Sequence, residues 1–150
     1  MFCSPTPCVF LMLTVMQASA FQKEYYWRDY TGSIPRDAII GGQTAKGDNV
    51  YIGQVYDTNA GLIVVQINPG VQHVFLPLYD IVKNSSEHIK ILCGIQENFR
   101  WLPTNSSNLH MLLLYNHPVN GGHLDAEGQI NVGRIQEDGE TKIGMVDSLH

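Results

Sequence analysis

From Phe21 onward, hydrophobic positions come in short runs that alternate with polar ones or are rich in β-branched residues, and turn residues part them at close intervals. That period of two predicts strands rather than helices. Six are expected: Asn49 to Tyr56, Leu62 to Ile67, Val71 to Pro77, Ile89 to Ile95, Gln129 to Ile135 and Thr141 to Val146. Asn59-Ala60-Gly61, Asn68-Pro69-Gly70 and Asp138-Gly139 supply the turn chemistry between them, because these residues reach positive φ or preset a bend. Asn108 to Tyr115 is short and apolar, and reads equally as a helix or a buried strand. The expected class is an all-β protein of antiparallel sheets.

An internal repeat organises the strands. Gly41-Gly42 recurs as Gly121-Gly122, and at the same offset of 80 residues Val50-Tyr51-Ile52-Gly53 lies over Ile130-Asn131-Val132-Gly133, with Asp57 over Glu137. Tyr26-Trp27-Arg28 has its counterpart in Phe99-Arg100-Trp101. The chain therefore reads as two related halves, residues 21–95 and 96–150, folded against each other with approximate twofold symmetry.

The first twenty residues change the picture of compartment. They hold no Lys, Arg, Asp or Glu, and an apolar run from Val9 to Met16 precedes Ala18-Ser19-Ala20. A signal peptide over 1–20, cut before Phe21, is expected, and with it a secreted, extracellular protein. The run is shorter than the roughly 20 residues a membrane span needs. Cys3 and Cys8 leave with the leader, so Cys93 has no partner for an internal disulfide and reads as a small buried apolar side chain. All 9 basic and 14 acidic residues remain, giving a net charge of −5 that disfavours nucleic acid and anionic membrane as partners.

No catalytic or cofactor motif is present: the chain lacks G-x-S-x-G, a P-loop, H-E-x-x-H and G-x-G-x-x-G. Neither an enzyme nor a cofactor is expected. His110, His117 and His123 match no zinc spacing and read as loop or solvent-facing residues. Asp125-Ala126-Glu127-Gly128 offers too few oxygens for a calcium cage and reads as a polar turn before a strand. Trp27 and Trp101, at equivalent positions, read as core rather than as stacking platforms. Asn84-Ser85-Ser86 and Asn105-Ser106-Ser107 are glycosylation sequons at Asn84 and Asn105.

The order Trp27, Pro35, Ala38, Gly41-Gly42, Tyr51-Ile52-Gly53, and then Glu87 before Ile89-Lys90-Ile91-Leu92, resembles the DM-nine repeat family. The second half resembles it through Trp101, Gly121-Gly122, Asp125 to Gly128, Ile130 to Arg134 and Ile143 to Val146. The resemblance spans nearly all of the chain after the leader. It implies tandem β-rich copies and kinship with mannose-binding lectins of molluscs, natterin-like toxins and insect proteins induced by infection. In the lectins a turn aspartate and a lysine hold the sugar hydroxyls, as a carboxylate accepts from vicinal hydroxyls and an ammonium donates to another oxygen. Carried over, the resemblance implies a carbohydrate site at Asp125, Glu127 and Arg134, while the lysine positions hold Gln66 and Met145 and the first-copy aspartate falls near Gln43, Thr44 or Ala45. Glycans, mannose-containing ones among them, are the expected partners. Without the lysines, the alternative is a scaffold without sugar binding, acting through protein contacts or as a homodimer along exposed strand edges.

Overall fold

The computed structural model describes residues 25–147 apart from 79, 80 and 106. The leader expected over 1–20, with Cys3 and Cys8, lies outside the described residues, as does Ser106 of the second sequon.

The described chain is mostly strand, and every pairing is antiparallel. In order come β1 (Tyr25–Asp29), β2 (Ile40–Gln43), β3 (Asn49–Asp57), β4 (Gly61–Ile67), β5 (Val74–Leu78), β6 (Ile81–Ser85), β7 (Ile89–Gly94), a short helix α1 (Leu109–Tyr115), β8 (Asn120–Leu124), β9 (Gly128–Glu137) and β10 (Glu140–Asp147). A single 3-10 turn, Gln96–Asn98, follows β7. β5 and β6 form a separate hairpin, while the other eight strands make one sheet in the order β1-β7-β3-β4-β8-β9-β10. β2 shares an edge of β3 with β7: it pairs Asn49 to Tyr51, and β7 takes Gly53 to Val55.

Burial follows the sequence pattern. In β3, Val50, Ile52 and Val55 are fully or nearly fully buried, and in β4 Ile63, Val64 and Val65 are buried in succession. Three consecutive buried residues mean that both faces of β4 are covered, which is why this strand reads as an uninterrupted apolar run. Ile89, Ile91 and Leu92 extend the core into β7. Cys93 is buried there too, and burial pushes its thiol pKa up. We expect a water-soluble disulfide reagent to leave Cys93 unmodified in the native protein and to react promptly once denaturant opens the fold; prompt native labelling would place this strand at the surface.

The segment Asn108 to Tyr115, open between helix and strand in the sequence, is helical where it is described from Leu109, and none of its residues is buried. The buried-strand alternative is thereby corrected: Asn116 N–H closes back on the carbonyl of Leu112 at 3.0 Å, and Met111, Leu114 and Tyr115 face out.

The two double glycines are points where another strand crosses. A Cβ on Gly41 would sit 2.4 Å from the Ile143 side chain, and one on Gly42 would sit 2.2 Å from Thr141, both of β10. Likewise Gly121 would meet Val64 at 2.3 Å and Gly122 the Leu62 carbonyl at 2.2 Å, both of β4. Each double glycine also sits at an irregularity in its hairpin: Ile40↔Tyr51 is followed by Gly42↔Val50, and Asn120↔Asn131 by Gly122↔Ile130. β4 thus crosses the glycines of β8, and β10 those of β2.

Candidate functional site

Where β2 meets the β9–β10 hairpin, the surface opens into a cleft of about 580 Å³, within the range of small-ligand sites. One wall comes from the turn after the first double glycine. Gln43 donates its side-chain N–H to Asn49 Oδ1 at 3.3 Å, and Thr44 Oγ1 accepts from the Asp48 N–H at 3.2 Å, so this turn presents amides and a hydroxyl. The opposite wall is the hairpin, where Gln136 donates to Thr141 Oγ1 at 2.8 Å, and that same oxygen accepts the Gln43 backbone N–H at 3.2 Å. Thr141 is buried, and it fixes the floor where β10 meets β2.

The remaining side is built from Gln96, Trp101 and Arg134. The Gln96 amide completes the edge of β2 by accepting from Ile40 N–H at 2.8 Å and donating to Ile40 O at 3.4 Å, a side-chain substitute for a strand partner. Arg134 lays its guanidinium over the Trp101 ring at 4.4 Å and donates Nη1–H to the Gly41 carbonyl at 2.8 Å. Trp27 and Trp101 are both partly buried and pack against the core rather than within it, and Trp101 also lines the cleft.

Arg134 is therefore brought to the cleft, whereas Asp125 and Glu127 are not. They occupy the β8–β9 turn, and the stretch of β9 from Gly128 to Arg134 spans about 20 Å at the usual strand rise. Asp125 instead docks its backbone on the β3–β4 turn, its N–H donating to Ala60 O at 3.1 Å. Of the three residues the resemblance points to, Arg134 lines this cleft, and Asp125 and Glu127 stand at the other end of β9. Gln66 and Met145 do not line the cleft either. The Gln66 side chain is taken up by Asn68 and by the Ile143 N–H, while Met145 packs against the core.

The cleft residues that sequence reasoning passed over are neutral amides and hydroxyls, chiefly Asn49, Gln96, Gln136 and Thr141. They belong to no motif, and only their convergence from distant parts of the chain makes them a group. Gln43 and Thr44 had a signal, since they stand at the turn position that the resemblance singles out. His110, His117 and His123 are exposed, and among the described residues no group of His, Cys, Asp or Glu is placed to hold a metal. Asn84 and Asn105 are exposed, with Asn105 Oδ1 accepting from the Ser107 and Asn108 N–H groups. No described helix is long and apolar enough to cross a membrane.

The position of Arg134 has a counterpart across the molecule. Gln54, 80 residues earlier, donates its side-chain N–H to the Gly121 carbonyl at 2.7 Å, as Arg134 does to Gly41. At both places one side chain ties a strand to the first glycine of a double glycine far away in the chain.

No family model matches the chain, nor does any curated protein or solved structure.

Proposed function

We propose that this protein is a secreted, non-catalytic carbohydrate-recognition module made of two DM-nine-like copies related by an approximate twofold axis. The observation that carries the reading is the open polar cleft, with amides and hydroxyls on both walls and an aromatic edge at Trp101. Amides donate and accept with fixed geometry, which suits the alternating donor and acceptor character of sugar hydroxyls. The copy relationship is supported by the reciprocal crossings at Gly41-Gly42 and Gly121-Gly122, and by the paired ties from Arg134 and Gln54. Mannose-containing glycans of pathogens are the ligand class the resemblance suggests.

The test is a glycan array, mannan included, probed with the protein secreted from the full-length chain and with Gln136→Ala and Asp125→Ala variants. Saturable binding weakened about fivefold by Gln136→Ala, and unchanged by Asp125→Ala, is the expected result, since a lost hydrogen bond costs about 1 kcal/mol. Loss in Asp125→Ala alone moves the sugar to the β8–β9 turn. A protein that binds no glycan fits the second reading, an interaction scaffold without sugar binding that associates with itself or with another protein. Two features favour that reading: Gln66 and Met145 occupy the lysine positions, and α1 exposes Met111, Leu114 and Tyr115.

A further inference from the structure

The cleft carries one charge. Of the side chains that line it, only Arg134 is ionised, and no carboxylate is among them. The acids of the β9–β10 hairpin lie elsewhere: Glu137 and Glu140 face each other in register and share Lys142, at 3.2 Å and 3.5 Å. Side chains alternate along a strand, so Arg134, Gln136, Thr141 and Ile143 share one face of the hairpin and Glu137, Glu140 and Lys142 the other. Arg134 has no acidic partner among the described residues.

The fold does not require that charge. Gln54, in the corresponding place, makes the same tie to a glycine carbonyl with a neutral amide and is buried, whereas Arg134 is exposed at the cleft. A guanidinium has five N–H donors, and the tie to Gly41 uses one nitrogen. Its place over the Trp101 ring and its tie to Gly41 anchor the group, and its remaining donors suit a carboxylate, which a guanidinium can meet through two parallel hydrogen bonds. Around it, Asn49, Gln43 and Gln136 offer neutral partners for hydroxyls.

We propose that the cleft selects an acidic saccharide, a uronic acid unit whose carboxylate pairs with Arg134 while its hydroxyls meet the surrounding amides. This rests on the carbohydrate reading and names its ligand class. An exposed pair of this kind is screened by salt, so affinity falls as ionic strength rises.

The experiment compares binding of polygalacturonate oligosaccharides, a sulfated oligosaccharide and mannan to the wild-type protein and to Arg134→Gln. That substitution keeps the tie to Gly41 in the form Gln54 already uses, and circular dichroism with a thermal melt verifies the fold. The expected result is preference for the uronate, weakened about tenfold by Arg134→Gln and progressively by added salt. Uronate binding that Arg134→Gln leaves unchanged overturns the proposal, as does tighter binding of the sulfated chain. Equal or stronger binding of mannan, insensitive to Arg134→Gln, overturns the acidic selectivity and leaves the carbohydrate reading standing. Binding of none of the three overturns both.

Discussion

Replacing Gly122 with alanine is expected to remove about 4 kcal/mol of stability, a large share of the total. The residue has φ +146°, and its added methyl would lie 2.2 Å from the Leu62 carbonyl oxygen and 2.9 Å from its carbon, which are backbone atoms of β4. A flexible side chain could swing aside; a paired strand cannot. The same carbonyl belongs to the β4–β8 junction, where Gly61↔Leu124 and Leu62↔His123 join the two parts of the sheet. Overpacking typically costs 1–3 kcal/mol and an unfavourable positive φ adds roughly 1–2, so a loss of about 4 kcal/mol is expected against a total of about 5–15. Gly47→Ala is the control: it too has a positive φ, +88°, but nothing lies within 4 Å of its added methyl. Denaturant melts should separate the two variants by several kcal/mol; similar midpoints would mean that the strand crossing tolerates a side chain.

The second large effect is expected at Asp57. Its side chain is only 4% exposed, yet it is ionised, because Lys83 Nζ donates to Oδ2 at 2.5 Å and the Asn59 N–H to Oδ1 at 2.9 Å. The first of these contacts fastens the β5–β6 hairpin to the main sheet, and the second closes the β3–β4 turn. Hydrogen bonding from Lys83 first, then from the Asn59 backbone, holds the carboxyl below its usual pKa. Lys83 is half in water, at 51% exposure, so its attraction is partly screened, and Asp57→Asn is expected to cost about 2 kcal/mol at neutral pH. The pH dependence has a definite sign. A carboxyl whose folded pKa lies below the unfolded value, about 3.9, contributes stability that is complete above that value and disappears as pH falls through the folded pKa. Wild type should therefore lose stability below about pH 4, and its advantage over Asp57→Asn should vanish in acid. Asp37, lowered chiefly by the Tyr26 hydroxyl, titrates in the same direction and remains in the variant, so some acid sensitivity persists. A constant gap between the two proteins from pH 7 to pH 2 would show that the charge of Asp57 contributes nothing.

These two sites differ in how visible they were beforehand. Gly121-Gly122 stood out as a repeated pair, although the sequence gives no hint of which strand presses on it. Asp57 has no sequence signal beyond its alignment with Glu137, and its partner Lys83 lies in β6, whose short pattern does not mark a strand. Four strands escaped the pattern: β1, β2, β6 and β8. β2 and β8 contain the double glycines, which have no side chain to show alternation, and β1 has no buried residue, so its polar and apolar positions are not sorted by a core. The six expected strands lie nearly in place because each contributes buried residues, alternating as in β5 or in a continuous apolar run as in β4 and β7. Val71 to Pro77 shifted to Val74–Leu78, since the Asn68-Pro69-Gly70 turn extends further than its turn residues suggested.

By itself, the sequence determined the antiparallel β class, most of the core strands, the buried state of Cys93 and the special character of positions 41, 42, 121 and 122. Those features are local: a period of two, a turn residue or a missing Cβ is written within a few residues. What only the tertiary structure decided is which distant segments meet. It placed Arg134 over Trp101 and against Gly41, moved Asp125 to the far end of β9, and gathered Gln43, Asn49, Gln96, Gln136 and Thr141 around one cleft. The physical reason is that a neutral amide acquires a role from its neighbours. Its neighbours here come from strands some 90 residues apart, brought together only when β10 crosses the glycines of β2.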